Sequence, residues 1–239
     1  MQGFTRFVLH IVSDFLVISL ISGGRPCVAQ EVEVPPAHGG SGSVTAPSGW
    51  LELIVPVHKR VTLKAYGFYI GDVKAPVGQF DVTVRATKFL TITPSYMYYS
   101  VPASGLNKLA PVPVFTDSYH ENQFRIDGTV TFLLRNFEIS ARNMYVRRFR
   151  PTPAHDSNRY RGRIVITRPL PVGGSTWRPF ASYEAFYDHD GGWDKHRVWV
   201  GLTLPLMKQV LIQPSYLWEG THGIKDINYL LLGLIVSTK

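Results

Sequence analysis

Phe124-Arg-Ile-Asp-Gly-Thr-Val-Thr-Phe132 sets Arg125, Asp127, Thr129 and Thr131 against Phe124, Ile126, Gly128, Val130 and Phe132. An extended chain turns successive side chains to opposite faces, so this stretch is a strand with one polar face and one apolar, aromatic face. The pattern recurs. Asp81, Thr83 and Arg85 alternate with Phe80, Val82 and Val84; Thr91, Thr93 and Ser95 alternate with Leu90, Ile92 and Tyr96. Glu138, Ser140 and Arg142 alternate with Phe137, Ile139 and Ala141, and Arg159, Arg161 and Arg163 with Tyr160, Gly162 and Ile164.

Eleven candidate strands run from Trp50–Val57 to Asp226–Ser237, most of them 10 to 14 residues long. Globular strands average about 5–6 residues, whereas a tilted strand needs about 9–11 to cross a bilayer. The connections alternate in length. His58-Lys59-Arg60, Lys88-Phe89, Arg135-Asn136 and Met207-Lys208 are tight, while 101–120, 150–157, 188–194 and 220–225 are longer and polar. Long amphipathic strands joined by alternating short and long connections predict an all-β, antiparallel up-and-down transmembrane barrel over residues 50–239. Such barrels have even strand numbers, so the expected count is ten to twelve, with twelve preferred and both termini periplasmic. The twelfth strand is expected before Trp50 or within 101–120. One echo supports the hairpins: Val82–Tyr98 aligns without gaps on Leu202–Trp218, each ending Ile-x-Pro-Ser-Tyr-x-aromatic. Pro94 and Pro214 therefore predict a bulge or local break in their strands.

Composition narrows the alternatives. The chain has 239 residues, 45% hydrophobic, 13% aromatic and only 18% charged, with one Cys and a formal net charge of +8. It is too apolar for disorder and too poor in Cys for a disulfide scaffold, and it has no uninterrupted run of about 18 apolar residues for a spanning helix. Residues 1–29 read as a secretory signal peptide, with Arg6, the apolar run Phe15–Ile21 and small residues ending at Ala29. Residues 30–49, with Pro35-Pro36 and Gly39-Gly-Ser-Gly-Ser43, read as a flexible periplasmic leader. The protein is accordingly expected in the outer membrane of a Gram-negative bacterium.

With the apolar faces toward lipid, the lumen is expected to receive Asp81, Arg85, Arg125, Asp127, Glu138, Arg142, Arg159, Arg161, Arg163, Arg178, Glu184, Arg197 and Glu219. Arginine suits ion-paired closure, because its planar fork holds a carboxylate through two hydrogen bonds and stays charged. An aromatic girdle is expected from Tyr96, Tyr98, Tyr183, Tyr187, Tyr216 and Trp218, with Tyr66, Phe68, Tyr99, Phe186, Trp193 and Trp199 also near strand ends.

The run Arg159-Tyr-Arg-Gly-Arg163, then Arg178-Pro-Phe-Ala-Ser-Tyr-Glu-Ala-Phe-Tyr-Asp188, His196-Arg197 with Gly201, and Pro214-Ser-Tyr-Leu-Trp218 resembles the DUF 2490 family. The resemblance covers roughly residues 50–239 and implies a bacterial outer-membrane barrel without an assigned activity. This chain departs from other outer-membrane barrels in ending Ile235-Val-Ser-Thr-Lys239 instead of on an aromatic residue.

Three function classes follow: a structural barrel with a polar, Arg-rich plugged lumen, a narrow porin-like pore favouring anions, and a lipid hydrolase. For the last, His155-Asp156-Ser157-Asn158 resembles the His-x-Ser-Asn stretch of the outer-membrane phospholipase A family, although the following Arg159-Tyr160 departs from it. A His two residues from a Ser on one strand is a same-side neighbour that activates a nucleophile. Asp188, His189, Asp190 and His222 are the residues a rim protease would use, and read more simply as polar loop tips that touch divalent cations or lipopolysaccharide. No cofactor or metal site is expected. The expected partners are outer-membrane lipids, lipopolysaccharide and the assembly machinery, not nucleic acid, because the Arg residues alternate with apolar ones instead of forming a basic stripe.

Overall fold

The computed structural model describes residues 43–109, 116–150, 156–189, 191–222 and 225–238. Twelve strands run in chain order: β1 (Ser43–His58), β2 (Val61–Ile70), β3 (Ala75–Arg85), β4 (Leu90–Val101), β5 (Tyr119–Leu134), β6 (Phe137–Phe149), β7 (Ser157–Thr167), β8 (Leu170–Val172), β9 (Ser175–Asp188), β10 (Gly192–Met207), β11 (Val210–Thr221) and β12 (Asp226–Ser237). One helix, α1 (Ala103–Leu109), lies between β4 and β5. Eleven of the strands close a barrel and β8 is extra. β7 and β8 both pair with β9, so β8 continues the line of β7 past Arg168-Pro169, where proline removes a ladder donor.

The all-β barrel expectation holds, with twelve strands, and three particulars change. β1 begins at Ser43, so Ser43–Gly49 is strand and not leader. The additional strand is β8, neither before Trp50 nor within 101–120, and the latter segment contributes α1. Closure is parallel, Ser43 pairing with Asp226 and Ile54 with Ser237. β1 therefore starts at the end of the barrel bearing the long connections, and β12 finishes at the end bearing the short ones. An odd number of staves requires this, and it corrects the expectation of both termini on one side. The signal-peptide reading and the rest of the leader lie outside the described residues.

The echoing hairpins are β3–β4 and β10–β11. In both, bridges lapse opposite the proline yet the register is unchanged on either side: Asp81↔Ser95 and Val84↔Ile92 around Pro94, Gly201↔Ser215 and Leu204↔Ile212 around Pro214. The prolines thus make local breaks without bulges. Bulges occur instead at Pro56/His58, Trp193/Lys195 and Pro205/Met207.

Closure gives the sheet an inside, and the registers assign every strand residue a face. The outward face carries exposed apolar residues on successive staves, among them Leu51, Phe80, Ile126, Ile164, Val200 and Leu232. On β5 the outward row from Phe124 to Leu134 rises about 25 Å along the axis, at about 3.3 Å per residue and roughly 40° of tilt. No helix among the described residues is long and apolar enough to cross a membrane.

Candidate functional site

The face opposite this apolar row is buried and holds two unlike sectors. One spans β5 to β11 and holds two sets of ion pairs. Glu121, 0% exposed, accepts two hydrogen bonds from Arg148 (2.8 and 2.9 Å), and others from Gln123 (2.5 Å), Tyr99 (3.0 Å) and Tyr119. Arg148 also donates to Asp188 (2.9 Å), which accepts from Arg159 (2.5 and 2.7 Å), and Arg159 reaches Asp194 (2.9 Å). Around the barrel, Glu184 accepts from Arg142 (2.7 Å) and Arg161 (2.9 Å) and lies 3.8 Å from Arg197. Arg197 and Lys195 both hold Glu219, at 2.5 and 2.8 Å.

Phe186 sits within this network, 2% exposed, with Arg161, Arg197, Arg159 and Lys195 between 4.5 and 5.8 Å from its ring centre. A cation over an aromatic face gains from the ring quadrupole, most of all where water is scarce. Phe186 therefore separates charges that would otherwise repel, and it belongs to the interior, not to the girdle.

The second sector spans β12 and β1 to β4 and is apolar at the long-connection end. Ala46, Ile227, Tyr229 and Leu231 form one buried cluster, and Val73, Ala75 and Val101 another. α1 joins them: Leu106 and Leu109 pack on the second cluster, and Leu109 also on the first. The helix is stitched to the connections beside it, since Lys108 Nζ donates to the Asp72 carbonyl (2.8 Å) and the Lys225 amide to the Leu109 carbonyl (3.2 Å). Gly105 is required here, because a Cβ would stand 2.1 Å from the Val73 carbonyl oxygen. Farther along, Trp50 lies over Gly233, whose Cβ would meet the indole at 2.2 Å.

The remaining expected lumen residues share the inward register. Asp81 accepts from Gln79 (2.7 Å), Asp127 accepts from Thr129 (3.0 Å), and Arg125 donates to Ser95 (3.3 Å). Arg163 donates to Ser182 (3.2 Å) and stacks on Trp199 at 4.8 Å. Arg178 pairs with Glu138 (2.9 Å) nearer the short turns, and Arg85 is exposed at that rim. The expectation omits Glu52, Lys64, Glu121, Arg148, Asp188, Asp194 and Lys195. They add four carboxylates and three cations, and Glu52 pairs with Lys64 at 3.4 Å. The polar positions of β5 extended two residues past Gln123 would have found Glu121.

Tyr96, Tyr98, Tyr183, Tyr187, Tyr216 and Trp218 all face outward toward the long-connection end. Two of them, with Tyr145 and Tyr160, make a repeated contact. Tyr96 donates to Asn122, Tyr160 to Asn143, Tyr145 to Asn158 (2.7 Å) and Tyr216 to Asn228 (2.5 Å), each on the neighbouring strand, while Trp218 donates to Asp226 (3.2 Å). Tyr66, Phe68, Tyr99 and Trp199 face inward. A recess of about 500 Å³ among Tyr183, Trp193, His196 and Trp218 reaches Asp194 and His222.

Of the expected hydrolase pair, only Ser157 falls among the described residues. Ser157 is buried on the inner face with its hydroxyl unpartnered, and His155 lies outside the described residues. Asp188 is no loop tip, because Arg148 and Arg159 hold it at the end of β9; Asp190 lies outside the described residues. No group of three or more potential metal ligands occurs among the described residues.

A family model described as "Protein of unknown function (DUF2490)" matches residues 60–228. No curated protein matches the chain. Among solved structures, the chain is similar to LpxR from Salmonella typhimurium, with 8% identity, a TM-score of 0.48, and coverage of 75% of this chain and 84% of that one. It is also similar to the beta domain of the Bordetella autotransporter BrkA, with 14% identity, a TM-score of 0.40, and coverage of 70% and 78%.

Proposed function

The chain belongs to the DUF2490 family, a membership that assigns no reaction, and we propose that it is a structural outer-membrane barrel whose Arg-rich lumen is plugged. Export by residues 1–29 delivers it to the outer membrane of a Gram-negative bacterium, where the assembly machinery inserts it among phospholipids and lipopolysaccharide. One observation carries the reading: Glu121, Glu184 and Glu219 are held by arginines on the inner face while the outer face presents exposed apolar residues. Water on both faces would leave the outer face an aggregation surface, whereas lipid makes it the favourable one. The Tyr–Asn pairs support a boundary between tails and headgroups, since each presents an apolar ring with a satisfied polar tip.

Planar-bilayer recording tests the plug. The purified protein is expected to give no current steps, and steady anion-selective steps would replace this reading with the pore. Leu231 and Leu232 test the membrane, being adjacent on β12 with Leu231 buried inside and Leu232 exposed outside. Leu232→Arg is expected to destabilise the barrel in vesicles by about 2–4 kcal/mol. A change within about 0.5 kcal/mol would place the outer face in water. Neither the wild type nor Ser157→Ala is expected to hydrolyse phospholipid.

A further inference from the structure

The two ends of the barrel differ in charge. At one end of the barrel four turns each carry a cation and no carboxylate, Lys59-Arg60 between β1 and β2, Lys88 between β3 and β4, Arg135 between β5 and β6, and Lys208 between β10 and β11, while the β8–β9 turn there, Gly173-Gly174, is uncharged and Arg168 stands just before it, between β7 and β8. All six side chains are on exposed residues. Glu138, at the start of β6, is paired with Arg178. Lys88 and Arg168 lie over the rings of Phe89 and Phe137, which leaves their charge uncancelled. At the opposite end, by contrast, the β2–β3 connection holds both Asp72 and Lys74, and Asp156 pairs with Arg147 near the end of β6 at 3.4 Å.

Immediately beside these cations the outward apolar row continues to the edge, with Val57, Leu134, Phe137, Leu206 and Met207 exposed. Cations on turn tips next to an apolar belt stand at the depth of lipid phosphates. Basic residues at a membrane surface attract anionic lipid, and the attraction falls away within a Debye length.

We propose that the short-turn rim is a binding surface for the phosphates of anionic glycerophospholipids, held as a ring of headgroups around the barrel. The inference rests on the membrane reading above. Short turns lie in the periplasm in outer-membrane barrels, so the leaflet bound is the phospholipid one. The spacing of the cations around the circumference suits many separate lipids more than one compact polyanion.

The test uses the full chain in vesicles of phosphatidylcholine alone and of equal parts phosphatidylcholine and phosphatidylglycerol. Spin-labelled lipids of both kinds report which is enriched at the protein surface. The wild type is expected to favour phosphatidylglycerol by about fivefold, a preference falling toward unity in molar salt. The variant K59Q/R60Q/K88Q/R135Q/R168Q/K208Q is expected to insert and to show no preference, while Lys/Arg exchange at the same six positions keeps it. Equal enrichment of the two lipids by the wild type, or a preference unchanged in the glutamine variant, would overturn the rim proposal alone. Failure of the wild type to insert into either vesicle would overturn the membrane reading and the rim with it. Stronger enrichment of a lipid A probe than of phosphatidylglycerol would overturn the choice of leaflet.

Discussion

The inner face of this barrel carries two kinds of physics side by side. From β5 to β11, Glu121, Glu184, Asp188 and Glu219 are each held by arginines or lysine on neighbouring strands. From β12 through β4, Tyr229, Leu231, Val73 and Val101 meet the leucines of α1. The ion-paired sector is specific and brittle, because a buried charge that loses its partner retains its desolvation cost. The apolar sector is less directional and yields by degrees, since neighbours partly fill a deleted methylene.

The largest expected effect follows from that brittleness. Glu184→Ala strips Arg142 and Arg161 of their shared carboxylate and is expected to lower stability by about 3–5 kcal/mol, read from the urea midpoint in micelles. Leu231→Ala, in the other sector, is expected to cost about 2–3 kcal/mol by the same measurement. If the two losses come out equal, the contrast between the sectors fails. Gly105→Val forces α1 off the Val73 carbonyl and is expected to cost about 1–3 kcal/mol. In planar bilayers it is also expected to produce brief current steps absent from the wild type; silence would mean that the ion-paired sector alone closes the barrel. The smallest effect is expected from Lys64→Gln, where the partly exposed Lys64–Glu52 pair at 3.4 Å contributes less than about 1 kcal/mol.

The polar sector is the part legible in the sequence, because alternation appears only where the two faces of a strand differ in polarity. Arg159, Arg161 and Arg163 announce their face, as do Arg125 and Asp127. Arg148 does not, since Met144 and Val146 share the inward face and interrupt the polar series after Arg142. Asp194 is hidden by the bulge at Trp193/Lys195, which shifts the count by one. β12 is apolar on both faces, so nothing in Tyr229-Leu-Leu-Leu-Gly233 says which leucine looks inward; the pairing with β1 and β11 decides it. The α1 segment Ala103-Ser-Gly-Leu-Asn-Lys-Leu109 is too short for helical periodicity to stand out, and its role depends on Val73 and Ala46, contacts distant in sequence. Phe186 reads as a girdle residue by composition and is an interior one by register.

Parallel closure has a consequence for how the chain acquires this shape. Among the described strands, β1 finds one of its two neighbours in β12, far along the chain, with Ser43 paired to Asp226. Contacts of such sequence separation carry a large loop-closure entropy and tend to form late. Until they do, β1 and β12 each present a row of unpaired backbone groups, the kind of edge that recruits foreign strands. Whatever shelters the exported chain must therefore cover both edges until β12 meets β1, and a chain truncated before Asp226 keeps an open seam on β1.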